Sequence, residues 1–380
     1  MDFVLSEEQK MLKAMARDFA EKELEPIAAQ IDEDATFPAE QVKQMAELGL
    51  MAVSFPEKYG GSGGGKMEEV IVAEEICRVC AAMGTIIFSV GLASNPLYHF
   101  GSEAQRQRFL VPLAKGEILA CFALTESGAG SDVAALETTA RRQSGGYRLN
   151  GNKIFITNGN EADIALVFAT VDKSLRHRGI SAFIVEKGTP GFSVGKLEHK
   201  LGIRASSTAE LVFEDCFVPE ANRLADEGAG FKVALSAIDA SRVSVAAQGV
   251  GIAQGAFDKA LAYAKERQQF GQPIAHFQAI QWFLADMATQ IDAARLLTCQ
   301  AAYRQDKGLP FIKESAMAKL FASEAAMFVT SKALQIHGGY GYIKDYPLER
   351  YFRDARILEI YEGTSEMQRM TIARQLINEG

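Results

Sequence analysis

Three blocks of contrasting periodicity predict an α+β multidomain protein: a helical N-terminal part, a β-rich middle and a helical C-terminal part. Apolar residues recur at helical spacing to about residue 119. They give way to short β-branched and aromatic runs to about residue 228, and long helical patterns then return. The expected domains are 1–119, 120–228 and 229–380. With 380 residues, 48% hydrophobic and 23% charged, the chain can build two or three packed units of ordinary soluble composition.

In the first block, Ser6 reads as an N-cap with Glu7 and Glu8 in the first turn, so Met1–Ala20 is expected to be a domain helix and not a targeting leader. Phe3, Leu12, Phe19 and Leu24 continue the apolar spacing, followed by Val42, Met45, Leu48 and Leu50, then the Val70–Val90 region. Pro56–Gly65 is a glycine-rich loop. Gly60, Gly65 and Lys66 imitate a phosphate loop, but Met67 stands where its hydroxyl should be, so a flexible surface loop is expected. Cys77 and Cys80 form a C-x-x-C pair in the helical run Met67–Ala82, without the second pair or histidine that zinc needs. Five scattered cysteines suit a reducing compartment, the cytoplasm or a mitochondrial matrix. Ala81–Phe100 is uncharged and long enough for a membrane span, but Ser89, Ser94, Asn95, Pro96 and His99 interrupt it. A buried helix ending near Asn95-Pro96 is expected, with no membrane span.

The middle block contains the short runs Tyr147–Leu149, Lys153–Ile156, Ile164–Ala169, Ser181–Val185, Phe192–Val194 and Glu210–Phe213, separated by Gly, Asn, Asp or Pro. They predict a compact sandwich or barrel. Tyr147–Lys153 reads as a hairpin around an Asn150-Gly151 turn. Helical patterns then cover Phe231–Arg267, Ile274–Lys307, Pro310–His337 and Thr364–Ile377, with breaks near Gly271, Gly308 and Gly338, as in an antiparallel four-helix bundle. Gly249, Gly251 and Gly255 have the wrong spacing for a dinucleotide fingerprint and imply close helix packing. A net charge of −8 argues against a nucleic-acid partner, so any anionic ligand must rest on a few local Arg or Lys residues.

Four motifs carry chemistry. In Ile360–Glu366, Glu362 lies between the Tyr361 ring and Gly363, followed by the hydroxyls of Thr364 and Ser365. An apolar neighbour raises a carboxylate's pKa toward the range of a general base, whereas the plain alternative is a helix-start glutamate capped by Thr364 or Ser365. Phe122–Asp132 combines an apolar strand with a loop of small residues, whose N–H groups and hydroxyls could receive a flat heterocycle or a phosphate. A polar turn is the alternative. Phe155–Asn158 sets an aromatic plate before a hydroxyl. Arg267–Gly271 closes a helix with a cation and a ring, suiting a phosphate with an adjacent base or simply a helix dipole.

In this order, and from Leu5–Gln9 through Glu366–Arg369, the chain resembles the acyl-CoA dehydrogenase family over essentially its whole length. Phe311–Glu314 and Met317–Lys319 match its short-chain and related bacterial branch. The resemblance implies a helical domain, a central β-barrel and a four-helix bundle, with FAD bound non-covalently between barrel and bundle. Phe122, Leu124, Thr125, Gly130 and Ser131 would then line the flavin ring, Ser131 also meeting the acyl-CoA, while Phe155 and Thr157 approach from a second strand. Arg267, Phe270 and Gln278, with Gln335, Ile336, Gly338 and Gly339, would hold the diphosphate and adenosine, partly across a subunit boundary in a homotetramer. Thr364, Ser365 and Glu366 would complete the cofactor site. Asp239, Arg242, Tyr361 and Gly363 would meet the substrate, Arg242 at the CoA.

The implied reaction is α,β-dehydrogenation of an acyl-CoA to the trans-2-enoyl-CoA. Glu362, desolvated and unpaired, would take the α-proton, and the β-hydride would pass to flavin N5. The Glu362 N–H would polarise the thioester carbonyl, and an electron-transfer flavoprotein would collect the electrons. Relatives with the base on the bundle helix carry it where this chain has Ser241, which cannot serve. Ser127 and His337 depart from the usual proline and aliphatic residue. Thr85–Leu97, without Lys or Arg, is expected to cap the acyl pocket and to favour a short straight chain such as butyryl. Branched, alicyclic or glutaryl-type acyl groups are the alternatives, as are an oxygen-using oxidase, for which the chain is short, and a non-catalytic acyl-CoA-binding protein.

Overall fold

The computed structural model describes residues 4–378. Met1 and Phe3 of the first expected helix lie outside them. Helix α1 (Glu7–Phe19) starts where sequence chemistry places it: the Ser6 hydroxyl accepts from the Gln9 N–H at 3.2 Å and the Gln9 amide oxygen accepts from the Ser6 N–H at 3.1 Å. A π-helical turn, α2 (Ala28–Asp34) and α3 (Ala39–Glu47) lead to the glycine-rich loop and then to α4 (Lys66–Cys77) and α5 (Ala81–Phe100). Short helices α6 (Glu103–Gln105) and α7 (Val111–Ala114) end this part.

Three expectations are corrected here. The Met67–Ala82 run is two helices, broken after Cys77, with Cys80 at the start of the second; both thiols are free and buried. Helix α5 runs through Pro96 to Phe100. One lost backbone bond is outweighed because Ala93 and Leu97, on either side of the proline, are 0% and 1% exposed in the core. The glycine-rich loop lies at the surface, with Gly60, Ser62 and Gly63 exposed, but it is packed at Gly61, where a Cβ would come within 2.1 Å of the Phe55 carbonyl. The start of α4 is also taken, since the Asp306 carboxylate accepts the Lys66 and Met67 N–H groups at 2.5 and 3.0 Å.

The middle part is one eight-stranded sheet: β1 (Ala120–Ala123), β2 (Thr139–Gln143), β3 (Gly146–Thr157), β4 (Ile164–Thr170), β5 (Ile180–Glu186), β6 (Phe192–Leu197), β7 (Thr208–Pro219) and β8 (Arg223–Leu224). The strand order is β6-β7-β3-β2-β4-β5-β8, with β1 parallel to β4. Strands β3 and β5 are not neighbours in that order, yet the Tyr147 and Phe183 rings meet at 4.9 Å, so the sheet curls around a shared core. The expected hairpin at Asn150-Gly151 is not formed. Strand β3 runs straight through it, with Gly151 at φ +143° where the register with β7 shifts. Asn150 pairs sideways with Asp215, donating to its carboxylate at 3.1 Å and accepting its N–H at 2.8 Å. The hairpin turns at Gly145 instead, between β2 and β3.

The last part opens with α8 (Gly230–Glu266), a two-strand ribbon of β9 (Gln268–Gln269) and β10 (Gln272–Pro273), and then α9 (Gln278–Asp306) and α10 (Ile312–His337). Helices α11 (Leu348–Ala355) and α12 (Ser365–Asn378) complete the chain. Helix α8 is the spine, sharing one core with α4, α9, α10 and α11. Its glycines permit that approach: a Cβ on Gly249, Gly251 or Gly255 would lie 2.9, 2.4 or 2.0 Å from a carbonyl oxygen of Ala322, Glu74 or Arg78. No helix among the described residues is long and apolar enough to cross a membrane. Gly255→Ala is therefore expected to destabilise the fold by about 1–3 kcal/mol, measured by denaturant unfolding. An unchanged midpoint would contradict this packing.

Candidate functional site

The segment between α11 and α12 carries the first candidate. Helix α11 gives way to a 3-10 turn (Arg356–Glu359), and the chain then kinks: Glu362 has φ +52° and Gly363 φ +87°. A left-handed backbone at a non-glycine residue costs of order 1 kcal/mol and persists only where surroundings enforce it. The enforcing groups come from three helices. Lys319 of α10 donates its Nζ to the Gly363 carbonyl at 2.7 Å. Gln368 of α12 donates its Nε2 to the carbonyls of Gly363 at 2.8 Å and Glu362 at 3.1 Å. The Tyr361 hydroxyl is bonded to the Gln248 Oε1 of α8, and Gln248 in turn donates to the Thr85 hydroxyl of α5 at 2.8 Å.

The Glu362 carboxyl is half-buried against α8 and α10. It is not unpaired as expected, because Ser241 Oγ lies 2.8 Å from its Oε2 and can donate to it; that hydroxyl's other acceptor is the Ile238 carbonyl at 3.0 Å. Burial pushes the Glu362 carboxyl above the ordinary glutamate range, opposed first by the Ser241 hydrogen bond and then by the Lys319 and Arg242 charges. The Glu362 N–H has no backbone partner among the described residues. Arg242, 7% exposed, binds Asp239 through Nη1 at 2.6 Å, while its Nε has no partner. Thr364 caps α12 by accepting the Met367 N–H at 3.3 Å. Ser365 is buried with its Oγ unpartnered, and Glu366 is exposed.

A second group forms on the sheet. Phe122 lies on β1, and Leu124 and Thr125 follow it into the loop that ends at the exposed Gly130 and Ser131. This loop is tied to β3 by a buried ion pair: Lys153 Nζ reaches Glu126 Oε1 at 2.6 Å and the Leu124 carbonyl at 3.0 Å. Glu126 also accepts two backbone N–H groups, from Glu137 and Thr138, and burial lowers the Lys153 ammonium to about 8. Two and four residues along β3 stand Phe155, 61% exposed at φ +58°, and the half-buried Thr157. Phe155 thus keeps a large ring in solvent on a left-handed backbone that costs of order 1–3 kcal/mol.

The third group surrounds an open recess of about 520 Å³ at the far end of the bundle, lined in part by Arg267, Ile336, Gly338 and Gly339. Both glycines face open space, with no atom within 4 Å of a Cβ built on either. Tyr263, His337 and Tyr340 also line it. Periodicity alone did not single out the two tyrosines, and His337 is held by a 4.2 Å stack on Tyr263. Phe270, at the tip of the ribbon, is 94% exposed. Gln278 and Gln335 are exposed but do not line the recess. No recess residue belongs to the Glu362 group. Motif reading missed Lys319, Gln368 and Gln248 and weighed Ser241 only as an alternative base. Lys319, Gln248 and Ser241 meet their partners 44, 113 and 121 residues away, whereas Gln368 reaches back only five and six.

Three family models match the chain: the acyl-CoA dehydrogenase N-terminal domain over residues 6–117, the middle domain over 121–216 and the C-terminal domain over 228–377. The acryloyl-CoA reductase (NADH) of Anaerotignum propionicum is 54% identical over 99% of this chain and 96% of its own. The short-chain-specific acyl-CoA dehydrogenase of Clostridium acetobutylicum is 50% identical over 99% and 100%. Butyryl-CoA dehydrogenase from Megasphaera elsdenii superposes with a TM-score of 0.98 at 46% identity, covering 100% of both chains. A chain from a structural study of the electron transferring flavoprotein of Acidaminococcus fermentans gives 0.98 at 48% identity, again over 100% of both. For the Glu362 carboxyl, Ser241→Ala is expected to raise the pKa by up to about one unit, read from its infrared carboxyl band against pH. An unmoved titration would mean that the Ser241 proton goes to Ile238.

Proposed function

The chain belongs to the acyl-CoA dehydrogenase family of FAD-dependent oxidoreductases, and we propose that it dehydrogenates a short-chain acyl-CoA thioester to its trans-2-enoyl-CoA with Glu362 as the base. The observation that carries this reading is the half-buried, pKa-raised carboxylate on a strained loop, near an Arg242 whose Nε is left without a partner. A thioester α-hydrogen is a weak acid. Its removal needs a positioned base and charge stabilisation at the carbonyl oxygen. Glu362 Oε1, the oxygen turned away from Ser241, would take the proton, and the unengaged Glu362 N–H would receive the enolate oxygen.

The residues present fit the cofactor. Phe155 offers an exposed face, and the Gly128 and Gly130 backbone leaves its loop open, with no atom within 4 Å of a Cβ on either. On this reading Phe122, Leu124, Thr125, Gly130, Ser131, Phe155 and Thr157 hold the ring, with Thr364, Ser365 and Glu366 near it. FAD, when bound, supplies the acceptor for the β-hydride. Arg267, Phe270, Gln278, Gln335, Ile336, Gly338 and Gly339 hold the diphosphate and adenosine end. Part of that contact would reach across to a second copy, as the family resemblance implies for a homotetramer. Arg242, its Nη1 neutralised by Asp239 and its Nε spare, suits the CoA moiety, and Ser131, Tyr361 and Gly363 flank the acyl end.

The short acyl chain is supported by the likeness to the Megasphaera and Clostridium proteins. An electron-transfer flavoprotein as partner is supported by the Acidaminococcus likeness. The 54% identity to an acryloyl-CoA reductase favours a second reading, the saturating direction, in which the protonated Glu362 would return its proton to the α-carbon and the β-carbon would take its hydride from the bound cofactor in its reduced form. A panel of acyl-CoA and enoyl-CoA esters decides direction and chain length.

Two outcomes are expected. Glu362→Gln should keep yellow FAD and ligand binding but lose at least ~100-fold in turnover; near-full activity would place the base elsewhere. The acid limb of kcat/KM should lie above the ordinary glutamate range, because activity needs the ionised form of a carboxyl whose pKa is raised. A limb near pH 4 would contradict that environment.

A further inference from the structure

Lys319 is a buried cation that the chemistry above leaves unused. Its side chain is 0% exposed on a helix face shared with the buried Ser315, Ala316, Ala322 and Ser323. Such a face would pack more cheaply around an apolar residue, since burying an ammonium costs several kcal/mol unless something compensates. The single hydrogen bond it is seen to donate goes to the Gly363 carbonyl. Gln368, also 0% exposed, already serves that carbonyl, so hydrogen bonding alone does not account for the charge.

The charged and titratable groups around the pair come from each packed element. Helix α8 offers Arg242 with its partner Asp239, α10 offers Lys319 itself, and the segment and first turn of α12 offer Glu359, Tyr361, Glu362 and Glu366. Glu359 and Glu366 are satisfied elsewhere, Glu359 on Arg356 and Glu366 near solvent. Arg242 is half-neutralised by Asp239. The carboxylate left to Lys319 is Glu362. Burial lowers the Lys319 ammonium to about 8, with the Glu362 charge opposing that fall, so it is mostly protonated at neutral pH.

Accepting Glu362 as the base, we propose that Lys319 is a positioning residue with two tasks: its ammonium holds the Gly363 carbonyl so that Glu362 keeps its left-handed turn, and its charge keeps the Glu362 carboxylate ionised between turnovers. Gln368 shares the first task and not the second. The two residues therefore separate mechanical support from electrostatic support, and no change in substrate affinity is required of either.

The experiment compares FAD-loaded Lys319→Met, Gln368→Met and Glu362→Gln with the unaltered protein. It reads the pH profile of butyryl-CoA oxidation by an artificial acceptor, and the hydrogen exchange of residues 360–364. Lys319→Met is expected to move the acid limb up by about one pH unit, lower kcat by up to about tenfold on that limb, leave KM within about twofold and speed exchange of the segment. Gln368→Met should speed exchange without moving the limb. Should Lys319→Met fail to fold, Lys319→Gln keeps a donor at the carbonyl and must still move the limb. A superimposable acid limb in a folded Lys319 variant overturns the inference, as does unchanged exchange in Lys319→Met. An active Glu362→Gln would instead overturn the underlying assignment of the base, so the two failures are distinguishable.

Discussion

One constraint organises this molecule: a carboxylate must stay largely out of water without being neutralised by a direct ion pair. A fully paired Glu362 would be a poor base, and a bare one in a dry site would cost several kcal/mol. The fold settles between the two. A neutral hydroxyl, Ser241, lies at hydrogen-bond distance from one oxygen, while two cations, Lys319 and Arg242, contribute charge without touching the carboxyl. Their own hydrogen bonds go to the Gly363 carbonyl and to Asp239. The positive φ at Glu362 is the backbone's share of that compromise, since it turns the peptide carbonyls toward Lys319 and Gln368.

The rest of the architecture can be traced to that loop. Helix α8 must bring Ser241 and Arg242 to it at one point and Gln248 to Tyr361 at another, two turns on. This fixes how closely α8 lies on α4 and α10, and Gly249, Gly251 and Gly255 make that closeness sterically possible. On the sheet side, the Lys153–Glu126 pair performs a comparable service, binding the loop that follows Phe122 on β1 to β3, the strand that carries Phe155. Two buried lysines, Lys153 and Lys319, thus each hold the backbone of a loop, whereas the buried Glu74 and Glu75 tie helix to helix.

Much of this was legible in sequence because the signals are local. Ser6, Glu7 and Glu8 announce α1, the helical spacing from Phe231 announces α8, and Tyr361-Glu362-Gly363 announces an aromatic-flanked carboxylate at a turn. The errors have physical causes of the opposite kind. Asn150-Gly151 has hairpin chemistry, but Asp215 across the sheet offers Asn150 better partners than its own turn would. Pro96 is a helix breaker, but the buried surface on both sides of it holds α5 together. Lys319, Gln368 and Ser241 look like ordinary helix residues until α8, α10 and α12 are assembled, 43 or more residues from Glu362 in two of the three cases.

The central claim is that this chain's own carboxylate removes a proton from the carbon beside a thioester. It is tested most directly with a CoA thioester whose β-position is sulfur, which has no β-hydride to lose. In deuterium oxide, the FAD-loaded protein should exchange the α-hydrogens of that ligand, followed by proton NMR, and the exchange should vanish in the Glu362→Gln variant. Tight binding of the ligand with no α-exchange, or equal exchange in the variant, would contradict the account.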